Sequence, residues 1–261
     1  MFTIKNDKLE VTISENAAEV HSLTKIGEDY NYVWSGDPNF WAGRNPILFP
    51  QVGHTADKTI KIDGLKREIG NHGFARNSKF TLLNKKDDEL TLELKENEET
   101  LKVYPFEFSL KVNYKLVDNR LVITYTIKNN SKRDMYYGFG LHPAFSASKN
   151  YEDTKVVFNE EEKDGKELVI NKEFFDKYET YVINNPKSTM ATLETNNRKI
   201  AIEYIDYKIF AIWSKGDFVC LEPWMNHSPD NPEIELKDRE GTITLRSNEE
   251  NTHSYSWIVI E

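Results

Sequence analysis

Hydrophobic and polar residues alternate with a period of two along much of this 261-residue chain. The alternation is clearest in residues 9–13 (LEVTI), 90–94 (LTLEL), 108–112 (FSLKV), 121–127 (LVITYTI) and 200–204 (IAIEY). Period two is the mark of a strand with one face buried. Most of these runs end in turn dipeptides such as Asn-Asn, Asp-Asn or Lys-Asn, and two more strands are expected at 242–245 and 255–260. No long 3.6-residue pattern competes. The best helical stretch, 172–178, amounts to about two turns. Short, regular strands with polar turns predict an all-β, antiparallel sandwich. No repeat, linker or low-complexity stretch divides it, so one domain is expected over residues 1–261.

Four segments break the alternation: 41–53 (WAGRNPILFPQVG), 70–77 (GNHGFARN), 136–146 (YYGFGLHPAFS) and 218–231 (FVCLEPWMNHSPDN). They concentrate Gly, Pro, Trp and His. Local rule-breaking on a regular scaffold is expected where the scaffold carries a site.

Composition narrows the partners. The net charge of −9 disfavours nucleic acid and anionic membrane. Acidic runs at 87–89 and 160–162 read as solvated loops. The single cysteine, Cys220, excludes an intrachain disulfide and points to a reducing compartment; its apolar neighbours suggest a buried thiol. No leader-like or membrane-spanning run is present, so a cytoplasmic location is expected. Aromatic residues make up 12% of the chain, which suits strand packing and also the stacking of sugar C–H faces.

Three residues in the irregular segments can move protons. His72 lies between Asn71 and Gly73, His142 precedes Pro143, and Glu222 follows a strand-like run and precedes Pro223. Each also fits a plain structural role, as a loop hydrogen bonder or a strand-end acid. Together they offer two imidazoles and one carboxylate for general acid–base work. A metal site of His72, His142 and His227 has no short ligand spacing behind it, and no metal or cofactor is expected. There is no nucleophile elbow, phosphate loop or HExxH. Trp34, Trp41, Trp213 and Trp224 are candidate stacking surfaces as well as candidate core, with Trp224 foremost. His54 and His227 read as surface loop residues, and Asn226 and Asp230 as groups that orient the loop after Glu222.

The pieces RNPILFP with Gly53, HGFAR at 72–76, GLHPAF at 140–145 and CLEPW at 220–224 together resemble the galactose mutarotase-like superfamily, specifically the LacX-like bacterial branch of the aldose 1-epimerase family. The resemblance spans nearly the whole chain. It implies a large antiparallel β-supersandwich with a groove on one sheet. It implies His142 and Glu222 as the catalytic pair, His72 as a ligand of substrate oxygens, and Arg44 and Arg76 as basic groups near the ligand. A substrate-binding aspartate is also implied, for which Asp206 is the available position.

By this reading the chain interconverts the α and β anomers of an aldohexose, with Glu222 as base on O1–H and His142 as acid on the ring oxygen, the two facing each other across a bound pyranose. The sugar is free or phosphorylated; Arg44, Arg67 and Arg76 are the residues for a hexose 6-phosphate. The protein acts as a monomer or homodimer. The rivals are a non-catalytic sugar sensor and a polysaccharide lyase or glycosidase. A glycosidase would need a second carboxylate beside Glu222.

Overall fold

The computed structural model describes residues 1–260. Strands dominate and pair antiparallel in two principal sheets. The larger sheet has nine strands in the order Gly165–Val169, Lys155–Glu162, Met190–Thr195, Arg198–Glu203, Glu250–Ile260, Arg120–Asn129, Phe108–Val117, Glu89–Lys95 and Thr81–Lys85. The second sheet has six strands. Its order is Tyr181–Asn184, Ile209–Trp213, Phe218–Trp224, Gly140–Leu141 and Ile47–Leu48, and Ala144–Ser146 also pairs with Phe218–Trp224. The only α-helices among the described residues are Glu98–Val103 and Lys172–Lys177, capped by Asn97 and Asn171. No described helix is long and apolar enough to cross a membrane.

The alternating runs are strands, and several extend beyond their clearest stretch. The run at 121–127 sits in Arg120–Asn129, where intermediate and buried residues alternate without a break. Leu121, Ile123, Tyr125 and Ile127 face a core cluster that runs from Ile4 to Val259 and is filled from the second sheet by Phe210, Ile212, Val219 and Leu221. Each such side chain contributes about 1.5–3 kcal/mol on leaving water.

One acidic run departs from its expected loop. Glu160, Glu161 and Glu162 end the Lys155–Glu162 strand, and Glu162 is buried because its Oε1 accepts the Ser188 N–H at 2.7 Å. Asp87 and Asp88 occupy the turn between strands as expected, whereas Glu89 opens the Glu89–Lys95 strand and is partly buried.

The Phe218–Trp224 strand is buried at every position. Its odd-numbered residues Val219 and Leu221 join the main core. Its even-numbered residues face the other way, where Phe218 and Cys220 pack with Trp34 and Ala144 and Trp224 packs with Leu48, Val52 and Ala211. Directly opposed residues in an antiparallel pair share a face. Register therefore puts Trp213 beside Cys220, Ala211 beside Glu222 and Ile209 beside Trp224. The small Ala211 leaves space next to the carboxylate.

Candidate active site

A cavity of about 580 Å³ opens on that outer face. All four irregular segments meet there: Trp41 and Gly53 from the first, His72 and Arg76 from the second, His142 from the third, and Glu222, Trp224, His227 and Asp230 from the fourth.

Local backbone geometry presents each group. His72 has φ of +65° and its N–H donates to the Gly53 carbonyl. Gly73 follows with φ of +76°, and a β-carbon there would lie 2.2 Å from the Phe49 oxygen, so only glycine fits. The Gly53 N–H donates to His72 Nδ1 at 2.9 Å. That bond assigns Nδ1 as acceptor and leaves the proton on Nε2. Burial, reinforced by Arg76, His227 and His54, lowers the His72 pKa to about 3. His72 is therefore a neutral imidazole.

His142 is held between aromatic rings. Trp41 lies at 4.9 Å with the planes 30° apart, while Trp213 and His72 meet it edge-on at 5.4 and 5.7 Å. Its Nε2 is 3.3 Å from Glu222 Oε2. That contact lacks the alignment of a hydrogen bond, and Glu222 Oε1, Glu222 Oε2, His142 Nδ1 and Trp224 Nε1 are buried without partners. Unpartnered buried polar atoms are costly and call for an explanation.

Burial sets the charge of the pair. It raises the Glu222 pKa well above the ordinary carboxylate value, against the pull of the Trp224 indole N–H, which lies near the carboxyl without forming a well-aligned hydrogen bond, and of the Arg76 guanidinium. It lowers the His142 pKa well below that of a free imidazole, helped by His72 and Arg76. Burial thus works against the ionised form of each group, the Glu222 carboxylate and the His142 imidazolium alike.

A family model for aldose 1-epimerase matches residues 1–165. The chain belongs to the aldose 1-epimerase family. This aldose 1-epimerase family member is similar over 92% of its length to protein LacX (plasmid) of Lactococcus lactis subsp. lactis, at 26% identity and 93% coverage of that protein. Its structure resembles a galactose mutarotase-like protein from Lactobacillus casei, with a TM-score of 0.91, 26% identity and full coverage of both chains. A galactose mutarotase related enzyme from Lactobacillus acidophilus is equally similar, at TM-score 0.91 and 27% identity, covering 100% of this chain and 97% of that one. The antiparallel supersandwich expected from the resemblance is the observed fold.

Of the residues singled out in the sequence, His72, Arg76, His142, Glu222 and Trp224 converge on the cavity. Two do not. Arg44 lies over Gly36 and donates to the Ser35 carbonyl, outside the cavity lining, while its backbone N–H is held by Glu19. Asp206 sits in an exposed turn with φ of +70° and is also outside the lining. Arg67 is likewise committed elsewhere, to the carbonyls of Ile62 and Leu65. The picture of an acid and a base separated by a pyranose is corrected as well, because 3.3 Å leaves no room for a ring between them.

His54 and His227 are loop residues, yet both line the cavity, and His227 stacks on Trp224 at 5.7 Å. Asn226 does orient the loop, its Oδ1 accepting the Phe139 N–H. Trp34 is buried and donates to the Trp41 carbonyl. Phe40, Glu179, Thr180 and Lys215 were not singled out in the sequence. They come from loops and a strand end with no local motif.

Among the described residues, one group of three ligating side chains converges: His142, Cys220 and Glu222, with donor atoms within 4.8 Å. Burial, with Glu222 nearby, pushes the Cys220 thiol well above its ordinary pKa. Burial works against both the thiolate and the carboxylate that a cation would need as ligands, which makes this group a poor cation cage. The three histidines do not converge, since His227 lies against Trp224.

Proposed function

We propose that this protein is an aldose 1-epimerase acting on a free aldohexose, with His142 and Glu222 as its proton-transfer pair. The observation that carries the reading is their 3.3 Å approach in a buried, otherwise unpartnered pair on the cavity wall. A hemiacetal has its two reacting oxygens, O1 and O5, on the same carbon. An acid and a base side by side match that edge of the sugar better than two groups on opposite sides of the ring.

The carboxyl proton passes from Glu222 to His142 across the short gap; the Arg76 charge favours the carboxylate this leaves and opposes the imidazolium it forms. Glu222 then takes the O1 proton as His142 Nε2–H protonates O5. The C1–O5 bond breaks and the C1=O1 aldehyde forms. Rotation about C1–C2 exposes the other face. Ring closure returns a proton from O5 to His142 and one from Glu222 to O1, so no net proton, electron or covalent adduct remains. The neutral His72 Nε2–H and the Arg76 guanidinium are donors for substrate oxygens.

A free sugar suits the rim better than a phosphorylated one. Arg76 and Lys215 are accompanied there by the carboxylates of Glu179 and Asp230, and Arg44 and Arg67 are engaged elsewhere. Like charge on the rim opposes a dianion.

Polarimetry of α-D-glucose and α-D-galactose tests the assignment. Glu222→Gln is expected to slow mutarotation by about 10²–10⁴-fold, the usual worth of positioned proton transfer. A Glu222→Gln protein as fast as the wild type overturns it.

A further inference from the structure

Arg239 is a buried cation apart from the catalytic pair. It is 5% exposed and lies outside the cavity lining. It follows the 3-10 turn Leu236–Asp238, which Leu236 anchors in the core. Thr242 closes that turn, its Oγ1 donating to the Leu236 carbonyl and its N–H to the Arg239 carbonyl. The guanidinium Nη1 donates to Gln51 Oε1 at 3.0 Å and to Ser228 Oγ at 3.4 Å, while Nε and Nη2 are buried without partners. Burial draws the Arg239 pKa down, with the charge of Asp57 acting the other way. A buried guanidinium whose acceptors are both neutral adds little to stability, so its presence calls for another reason.

Both acceptors lead to one imidazole. Ser228 donates its N–H to the Val52 carbonyl, next to Gly53. The Gly53 N–H donates to His72 Nδ1 at 2.9 Å, and the Gly53 carbonyl accepts the His72 N–H. On the other route, Gln51 Nε2 faces the Gly70 carbonyl at 3.5 Å, and that carbonyl also accepts the Gly73 N–H. One guanidinium thus ties residues 51–53, which hold the ring of His72, to residues 70–73, which carry it. Ser228 is also the neighbour of His227, which packs over Gly53 so closely that a β-carbon there would lie 2.6 Å from His227 Nε2. A binding group must be held within about 0.5 Å of its working place by supporting contacts of this kind.

We propose that Arg239 is a positioning residue for sugar binding: from outside the cavity it clamps the Gln51–Gly53 segment to Ser228, and so keeps His72 fixed as a donor to substrate oxygens. The inference rests on the reading of the cavity as a sugar site. It assigns Arg239 an effect on binding and none on the proton transfer itself, because His142 and Glu222 stand on other segments.

The test is Arg239→Met, which keeps much of the side-chain volume and removes the donor. Replacing a buried charge by an apolar group of similar size is usually tolerated by the fold. In polarimetry the variant is expected to raise KM for glucose about tenfold, the scale of a lost hydrogen bond, with kcat within about twofold of wild type. In ¹⁵N NMR of the imidazoles, with the His72 signals identified by their loss in His72→Gln, the wild type should show His72 protonated on Nε2 alone and Arg239→Met a mixture of tautomers. Arg239→Lys, which can still donate, should recover part of both. A folded Arg239→Met protein with wild-type KM and an unchanged His72 tautomer overturns the proposal, even if it melts earlier, because a purely structural role predicts that result. A fall in kcat with KM unchanged overturns it too. If Arg239→Met does not fold, Ser228→Ala carries the same expectation at about threefold in KM, and an unchanged KM there overturns the clamp. If the wild type turns over no sugar, the epimerase reading fails on its own. The tautomer spectra and glucose affinity by tryptophan fluorescence then decide: mixed tautomers with weaker binding support Arg239, and wild-type behaviour in both overturns it.

Discussion

The Arg120–Asn129 and Phe218–Trp224 strands both feed the central core, but they differ on their other faces. In the first, every second residue is only partly covered. In the second, the face turned from the core is covered too, and Glu222 lies on it at 1% exposure. The first strand contributes stability through ordinary apolar burial. The second holds a carboxyl group in surroundings that disfavour its charge, and holds it without a hydrogen-bond partner. Two strands of one fold thus carry opposite balances of stability and chemistry, as a stability–activity trade-off implies.

Substitutions can break or sharpen this contrast. Ile123→Ala, on the core face of the first strand, is expected to cost about 2–5 kcal/mol of unfolding free energy. Its kcat should be unchanged under conditions where it is folded, which denaturant melts and polarimetry would check together. Glu222→Leu should do the reverse: inactive, yet more stable by about 1–3 kcal/mol, because it removes an unsatisfied buried group. A Glu222→Leu protein that melts earlier than the wild type would deny that the carboxyl is held at a cost.

A smaller effect comes from buried histidines in the body of the fold. Burial lowers the His253 pKa to about 4. Between about pH 4 and 6.5 it is neutral when folded and protonated when unfolded, so the unfolded state binds more protons and stability falls as pH falls through that window. Melting wild type and His253→Gln at pH 6.5 and pH 4 should show a smaller acid-side loss in the variant. The smallest effects are expected for Arg44→Ala and Asp206→Asn, within about 0.5 kcal/mol in stability for such surface changes and with near wild-type mutarotation. A large loss of kcat in either would return that residue to the site.

The same contrast explains what could be read from the sequence. Strands such as 121–127 were legible because one face meets water and the other the core, so the period survives in the letters. The Phe218–Trp224 strand has no polar face, and only its abrupt Glu222 and the Pro and Trp after it marked it as unusual. His72, Arg76, His142 and Trp224 could be found because Gly and Pro fix the backbone around them. Arg44 and Asp206 could not be excluded, since side-chain direction in a loop depends on distant partners such as the Ser35 carbonyl. Lys215, Glu179 and Thr180 reach the cavity only through sheet pairing and loop packing, which no local pattern encodes. The closeness of His142 to Glu222 was equally hidden, because it depends on register between strands far apart in the chain.

The backbone amide of Gly53 gives His72 a fixed grammar. With one ring nitrogen occupied by that amide, the imidazole can offer only a proton and cannot receive one. In the proposed function it would sort ligand atoms by lone pair: an ether or hydroxyl oxygen satisfies it, whereas a fluorine, a weak acceptor, or a methylene in the same place leaves its N–H stranded. On that proposal, a single main-chain contact, invisible in the identity of either residue, becomes a filter on which deoxy and fluoro sugars the cavity can hold.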